Sequence, residues 1–93
     1  MVSIARIKDA INMGINEYPA ISKVILFGSY ASGEADDKSD VDVAITAGND
    51  FTLFEMGGFQ QTLEEELGIP VDVIEDNVLS SLDSEEIVVY EKE

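Results

Sequence analysis

Five residues of this chain have types and spacings that could do chemistry together: Gly28, Ser29, Asp40, Asp42 and Asp72. Gly28 ends an apolar run, where the missing side chain lets a ligand approach the backbone. Ser29 offers a hydroxyl and an amide at the start of a turn or short helix, and helix-start amides bind phosphate oxygens through unpaired donors and the local dipole. Asp40 and Asp42 are two residues apart, so in an extended segment their side chains share one face. Neighbouring carboxylates repel unless a cation sits between them, and oxygen ligands with phosphate nearby suit magnesium. Asp72 interrupts an apolar stretch between Val71 and Val73. A carboxylate there lies at an exposed edge or answers a neighbouring charge. Three carboxylates around a metal pair can bind a nucleoside triphosphate and activate an attacking hydroxyl.

Plainer roles compete with these. Gly28-Ser29 could be a simple turn, and Asp40 beside Ser39 could cap one. Asp42 is harder to dismiss, because it lies inside a strand pattern. Tyr30 suits packing and Lys38 a solvated loop, while Glu64-Glu65-Glu66 reads as the wet face of a helix.

The elements that must position these residues follow from periodicity. Ile4, Ile7, Ile11 and Ile15 form one apolar stripe and predict a helix over residues 3–16, with Ser3 as its cap and Pro19 beyond its end. Residues 23–27 are β-branched and aromatic and read as a buried strand stopped by Gly28; residues 41–45 form a second strand. Thr52 and Glu55 have capping-box spacing for a second helix, whose apolar face is Met56, Phe59, Leu63 and Leu67, and Gly68 with Pro70 ends it. Gly57-Gly58 inside this helix costs roughly 1 kcal/mol per glycine against alanine. A close approach by another element and a loose first turn are both compatible with it. Residues 71–74 form a third strand, 75–77 a turn and 78–82 a short helical turn; residues 87–90 are a last short strand or an extended tail.

In this frame the motif resembles the signature of the nucleotidyltransferase superfamily, the fold of DNA polymerase beta and kanamycin nucleotidyltransferase: Gly-Ser, about ten residues, Asp-x-Asp, and a third Asp on a later strand. At this length the chain looks most like the minimal nucleotidyltransferases, whose genes commonly sit beside one for a HEPN-domain protein, the pair behaving as antitoxin and toxin. The resemblance covers about residues 20–76. It implies the nucleotidyltransferase fold, an α/β (α+β) architecture with a small mixed β-sheet flanked by helices. It implies that Gly28 and Ser29 bind nucleotide phosphates, that Asp40, Asp42 and Asp72 are catalytic and ligate magnesium, two ions in all, and that ATP is the substrate. The family often has Gly-Ser-x-Ala-Arg-Gly at this motif; here Ser32 stands in the arginine's place, which removes a cation near the phosphates.

Composition narrows the choice. The 93 residues are read as one domain. There is no cysteine and no histidine, which excludes disulfides, a Ser-His-Asp triad and the usual zinc sites. No apolar run approaches the ~20 residues that span a bilayer, and residues 1–10 lack the apolar core of a signal peptide, so a cytoplasmic protein without a membrane partner is expected. Twenty acidic residues face five basic ones, a net charge of −15. Free nucleic acid is therefore repelled, and a divalent cation or a basic protein surface is favoured as partner; solubility alone is the other reading of the charge. The leading functional expectation is adenylyl transfer from ATP to a hydroxyl of a partner HEPN-type toxin. A weak or inactive antitoxin that only binds its partner is the alternative. Nucleotidylation of a small molecule ranks last, because 93 residues leave little room for an acceptor pocket.

A shared site imposes a topology. Ser29 ends the first strand and Asp42 begins the second, so these two must be antiparallel. Asp72 is early in the third, so the third must run parallel to the second, with the second helix as crossover. A separation of Asp42 and Asp72 beyond roughly 10 Å would exclude a common metal cluster.

Overall fold

The computed structural model describes residues 1–92. Helix α1 (Ile4–Glu17) starts where Ser3 Oγ accepts the Arg6 amide at 3.1 Å. Strand β1 (Ile21–Phe27) follows, then the single turn α2 (Ser29–Ser32) and strand β2 (Val41–Ala47). Helix α3 (Leu53–Leu67) is capped as its sequence predicts: Thr52 Oγ1 accepts the Glu55 amide at 3.1 Å, and Gly68 ends the helix in the left-handed region. Strand β3 (Val71–Glu75), the turn α4 (Asp76–Leu79) and strand β4 (Glu86–Glu91) complete the order.

The four strands form one mixed sheet in the order β3-β2-β1-β4. β1 pairs antiparallel with both β2 and β4, and β2 pairs parallel with β3 across the α3 crossover. This is the arrangement the shared site required. The two faces are covered unequally. Val24, Leu26, Val41, Val43, Ile45 and Val71 point to α1 and α3, where they meet Ile7, Ile11, Phe59 and Leu63 in the main core. Ile25, Phe27 and Ala44 point the other way, onto Leu79 of α4. Strand alternation places Asp42 and Asp72 on this second, thinly covered face. Among the described residues no helix is long and apolar enough to cross a membrane.

Several boundaries differ from the sequence reading. β1 begins at Ile21, and β2 runs on to Ala47 because Ile21 and Ala47 are partners in the ladder. Glu75 is the last residue of β3, in register with Ile45, and the expected turn at 75–77 is instead the start of α4. The C-terminal segment is a strand: β4 satisfies the free edge of β1.

The glycines inside the helices have separate causes. A Cβ on Gly58 would run into Tyr18 Oη, and one on Gly14 would lie 2.6 Å from Phe59 Cε1. These two glycines let α1 and α3 approach closely, and Tyr18 packs edge-on against Phe51 and Phe59 in the space they leave. Gly57 faces open space, so it carries the helix cost without a packing return. Gly14→Ala should therefore lose about 1–3 kcal/mol through overpacking against the fully buried Phe59, while Gly57→Ala should gain about 0.5–1 kcal/mol. Chemical denaturation of the two variants measures both, and equal effects would show that the helix contact is not tight at Gly14.

Candidate active site

Register brings the site together. Asp42 and Asp72 are direct partners in the parallel β2–β3 ladder, which sets their backbones about 4.8 Å apart, well inside the limit for a shared cluster. Phe27, the last residue of β1, is the partner of Asp42 on the other side. Gly28 therefore leaves the strand beside the Asp42 carboxylate. Its backbone has φ 74° and ψ −152°, a region that only glycine occupies readily. An added Cβ would also meet Asp42 Oδ2 at 2.5 Å. Two independent constraints thus demand glycine here. The turn of α2 then closes through the Ala31 and Ser32 amides, both donating to the Gly28 carbonyl at 3.1 and 3.0 Å.

The carboxylates differ in setting. Asp72 is exposed on the edge strand β3, whereas Asp42 is half-buried between β1 and β3. Burial pushes the Asp42 carboxyl above its ordinary pKa, and the negative charges of Asp72 and then Asp40 push the same way. Asp40 is exposed just before β2. It does not close the preceding turn, which is made by Asp36 and Ser39: Asp36 Oδ1 accepts the Lys38 amide at 2.8 Å and Ser39 Oγ accepts the Asp36 amide at 2.9 Å. Among the described residues Asp42 and Asp72 come together, while no set of three ligating side chains surrounds one point; Asp40 stands within electrostatic reach but outside the pair. The pair is an all-oxygen donor set, and the two ion pairs of the described residues, Met1 with Asp37 and Lys23 with Glu91, lie elsewhere. Crowded carboxylates without an internal cation fit a hard divalent ion.

Ser84, which the sequence reading did not single out, and Glu64, which it read as solvated, complete the surroundings. Ser84 Oγ accepts the Gly28 amide at 3.0 Å, so one backbone donor of the Gly28-Ser29 pair is occupied by the chain itself, while among the described residues the Ser29 amide is not. Around it lies a shallow depression of about 440 Å³ lined by Gly28, Ser29, Ser32 and Ser84 together with the acidic Glu34, Asp83 and Glu85. Ser32 Oγ turns inward and donates to the Ser29 carbonyl at 3.2 Å. Glu64 corrects the reading of its run as purely solvated: its Oε2 accepts the Val71 amide at 2.9 Å and pins the start of β3 directly before Asp72. The contact between Gly28 and Ser84 spans 56 residues, and no local pattern signals it. Tyr30 is buried in the main core, as a packing role requires.

The sequence profile of the polymerase beta nucleotidyltransferases matches residues 9–93. The chain belongs to this nucleotidyltransferase family. MJ0435 of Methanocaldococcus jannaschii, named as a candidate protein adenylyltransferase, is 34% identical over 62 residues, which is 67% of each chain. Among solved structures, a candidate minimal nucleotidyltransferase superposes with a TM-score of 0.70 at 25% identity, covering 83% of this chain and 81% of the other. A toxin–antitoxin crystal structure with AMP-PNP gives a TM-score of 0.74 at 21% identity over 92% of this chain and 74% of that one, a likeness of fold. The nucleotidyltransferase architecture is thereby shown for this chain.

The Asp42 setting has a consequence for stability. Its raised pKa means that the native state holds this proton more tightly than the unfolded chain does. The group therefore lowers stability as pH rises from the ordinary carboxylate range through the raised value, and the penalty is complete above it. Asp42→Asn should be neutral or stabilising without metal. Its advantage over wild type should grow with pH through the acid range and then level off. Thermal unfolding across that range checks this, and a variant much less stable than wild type at neutral pH would mark Asp42 as a structural residue.

Proposed function

We propose that this chain is a magnesium-dependent nucleotidyltransferase that moves an adenylyl group from ATP to a hydroxyl of a partner protein. The partner in this reading is a HEPN-type toxin silenced by the modification, and this chain is its cytoplasmic antitoxin. One observation carries the reading: Asp42 and Asp72 face each other at the starts of parallel strands, with Gly28 against the Asp42 carboxylate. Family membership, the similarity to a candidate protein adenylyltransferase and the shared fold of a toxin–antitoxin structure with AMP-PNP support it.

In this mechanism Asp42 and Asp72, with Asp40 turned in from the preceding loop, would hold the magnesium. Bound magnesium supplies the positive charge that offsets the triphosphate and the departing pyrophosphate. Ser29 presents its amide and hydroxyl to the phosphates, and the bare Cα of Gly28 leaves room for them beside the strand end. Asp72, on the exposed edge, is the carboxylate an acceptor reaches first. It takes the hydroxyl proton as that oxygen bonds to the α-phosphorus and the bond to pyrophosphate breaks. The acidic lining of Glu34, Asp83 and Glu85 disfavours a free nucleotide and favours its magnesium complex.

A second reading is a partner-binding antitoxin with a weak site. Ser32 in place of the family's arginine, and the Gly28 amide occupied by Ser84, favour it. The two separate on incubation with labelled ATP, magnesium and the product of the neighbouring gene. Label on that product supports transfer, and Asp42→Asn and Asp72→Asn should each reduce it by about a hundredfold or more. A tight complex that never acquires label supports the binding module.

The Ser84 contact gives a second expectation. Removing its hydroxyl frees the Gly28 amide, so Ser84→Ala should bind magnesium-ATP about three- to tenfold more tightly, the worth of one hydrogen bond. Calorimetric titration reads this directly, and weaker binding by the variant would instead make Ser84 a nucleotide contact.

A further inference from the structure

The most exposed apolar side chains of the described residues are not at the carboxylates. Leu53 is 77% exposed and Phe54 90%, and they are consecutive on the first turn of α3. Beside them is a depression of about 480 Å³ at the C-terminal ends of β2 and β3. Ile45, Ala47, Phe51, Leu53 and Met56 give it apolar walls, and Glu75 and Asp76 line its other side. Asp50 and Glu55 flank this stretch of chain. None of the five basic residues, Arg6, Lys8, Lys23, Lys38 and Lys92, lines it. The position is separate from the candidate active site: Ala47 lies five residues along β2 from Asp42, or about 17 Å at the rise of an extended strand.

A large apolar pair left in water beside an apolar hollow marks an interaction surface. Charge selects its occupant. A second copy would bring the same acidic rim and another net charge of −15, and like charges across an interface oppose docking. An anionic lipid surface is opposed for the same reason. We infer that the start of α3 and the adjoining depression dock a segment of a different protein, one that carries an apolar anchor flanked by lysine or arginine. The anchor fills the hollow against Leu53 and Met56 and extends onto the exposed Phe54 ring beside it, and the basic groups meet Asp50, Glu55, Glu75 and Asp76. This surface is additional to the nucleotide site and does not depend on transfer activity.

The test uses the full chain, isotopically labelled, and no nucleotide. It is titrated at physiological salt with a leucine/lysine amphipathic helical peptide, and in parallel with a serine/lysine peptide of equal charge. The leucine/lysine peptide should shift backbone amide resonances of residues 48–56 and 75–77. Phe54→Ser and Leu53→Ser should each weaken its binding about tenfold, with thermal unfolding unchanged or raised because both side chains are already exposed. The inference is overturned if the serine/lysine peptide binds equally well, or if shifts spread over the acidic surface without preference for this end of β2. It is equally overturned if Phe54 instead drives concentration-dependent self-association in sedimentation, or if the chain binds anionic vesicles through it. Because ATP is absent, failure here leaves the transfer reading untouched, and loss of label transfer leaves this surface standing.

Discussion

Two like charges held on neighbouring strands set the terms for the rest of the molecule. Asp42 and Asp72 are partners in a parallel ladder, and a parallel pair cannot be joined by a hairpin. The crossover is α3, which must lie on one face of the sheet and pack there with α1. That packing fixes β2 and β3 relative to one another and so holds the carboxylates at a separation they would not choose. Glu64 tightens the same constraint, since it leaves α3 to hold the first amide of β3. Gly28 closes the third side, in a conformation and at a distance from Asp42 that a side chain would forbid.

Those parts were legible in the sequence because each is tied to a residue type. A glycine at the end of an apolar run, aspartates two apart at the start of another, and an aspartate between valines leave few alternatives once a site is shared. The helix caps at Ser3 and Thr52 were equally readable, because capping is a local hydrogen bond. What escaped was long-range. The role of Gly58 needed Tyr18, forty residues earlier, to be seen. Ser84 and Glu64 carry no pattern that points to Gly28 or Val71. The outer limits of β1 and β2 are set by their pairing with each other and not by their own composition, so short apolar runs underestimated them.

The distribution of charge connects site and surface. Arg6 is engaged with the Glu66 carbonyl near the end of α3, and Lys23 with Glu91 at the edge of the sheet. Neither is at the carboxylates, and the motif position that often carries arginine in the family holds Ser32, turned into its own helical turn. Beyond Lys38 in the loop before Asp40, positive charge for a nucleotide would have to come from outside the chain. The same scarcity leaves the apolar hollow at the start of α3 with an acidic side and no basic one. Net charge does not choose the fold, but it narrows who can approach either surface.

The unequal cover of the sheet follows from the same logic. One face is filled by two long helices, while the other has only the turn α4 and Leu79 over Ile25, Phe27 and Ala44. A full helix across that second face would remove Asp42 and Asp72 from water, and taking two unpaired carboxylates into a low-dielectric interior costs several kcal/mol per ion. Leaving the face thin keeps Asp72 exposed and Asp42 half-exposed, tolerable to the fold and open to solvent. It also forces the core onto the other side, which is why α1 and α3 must approach closely enough to need Gly14 and Gly58. The tight helix pair and the open acidic face are two consequences of one requirement, that a small sheet carry charge on one side and still bury enough on the other to fold.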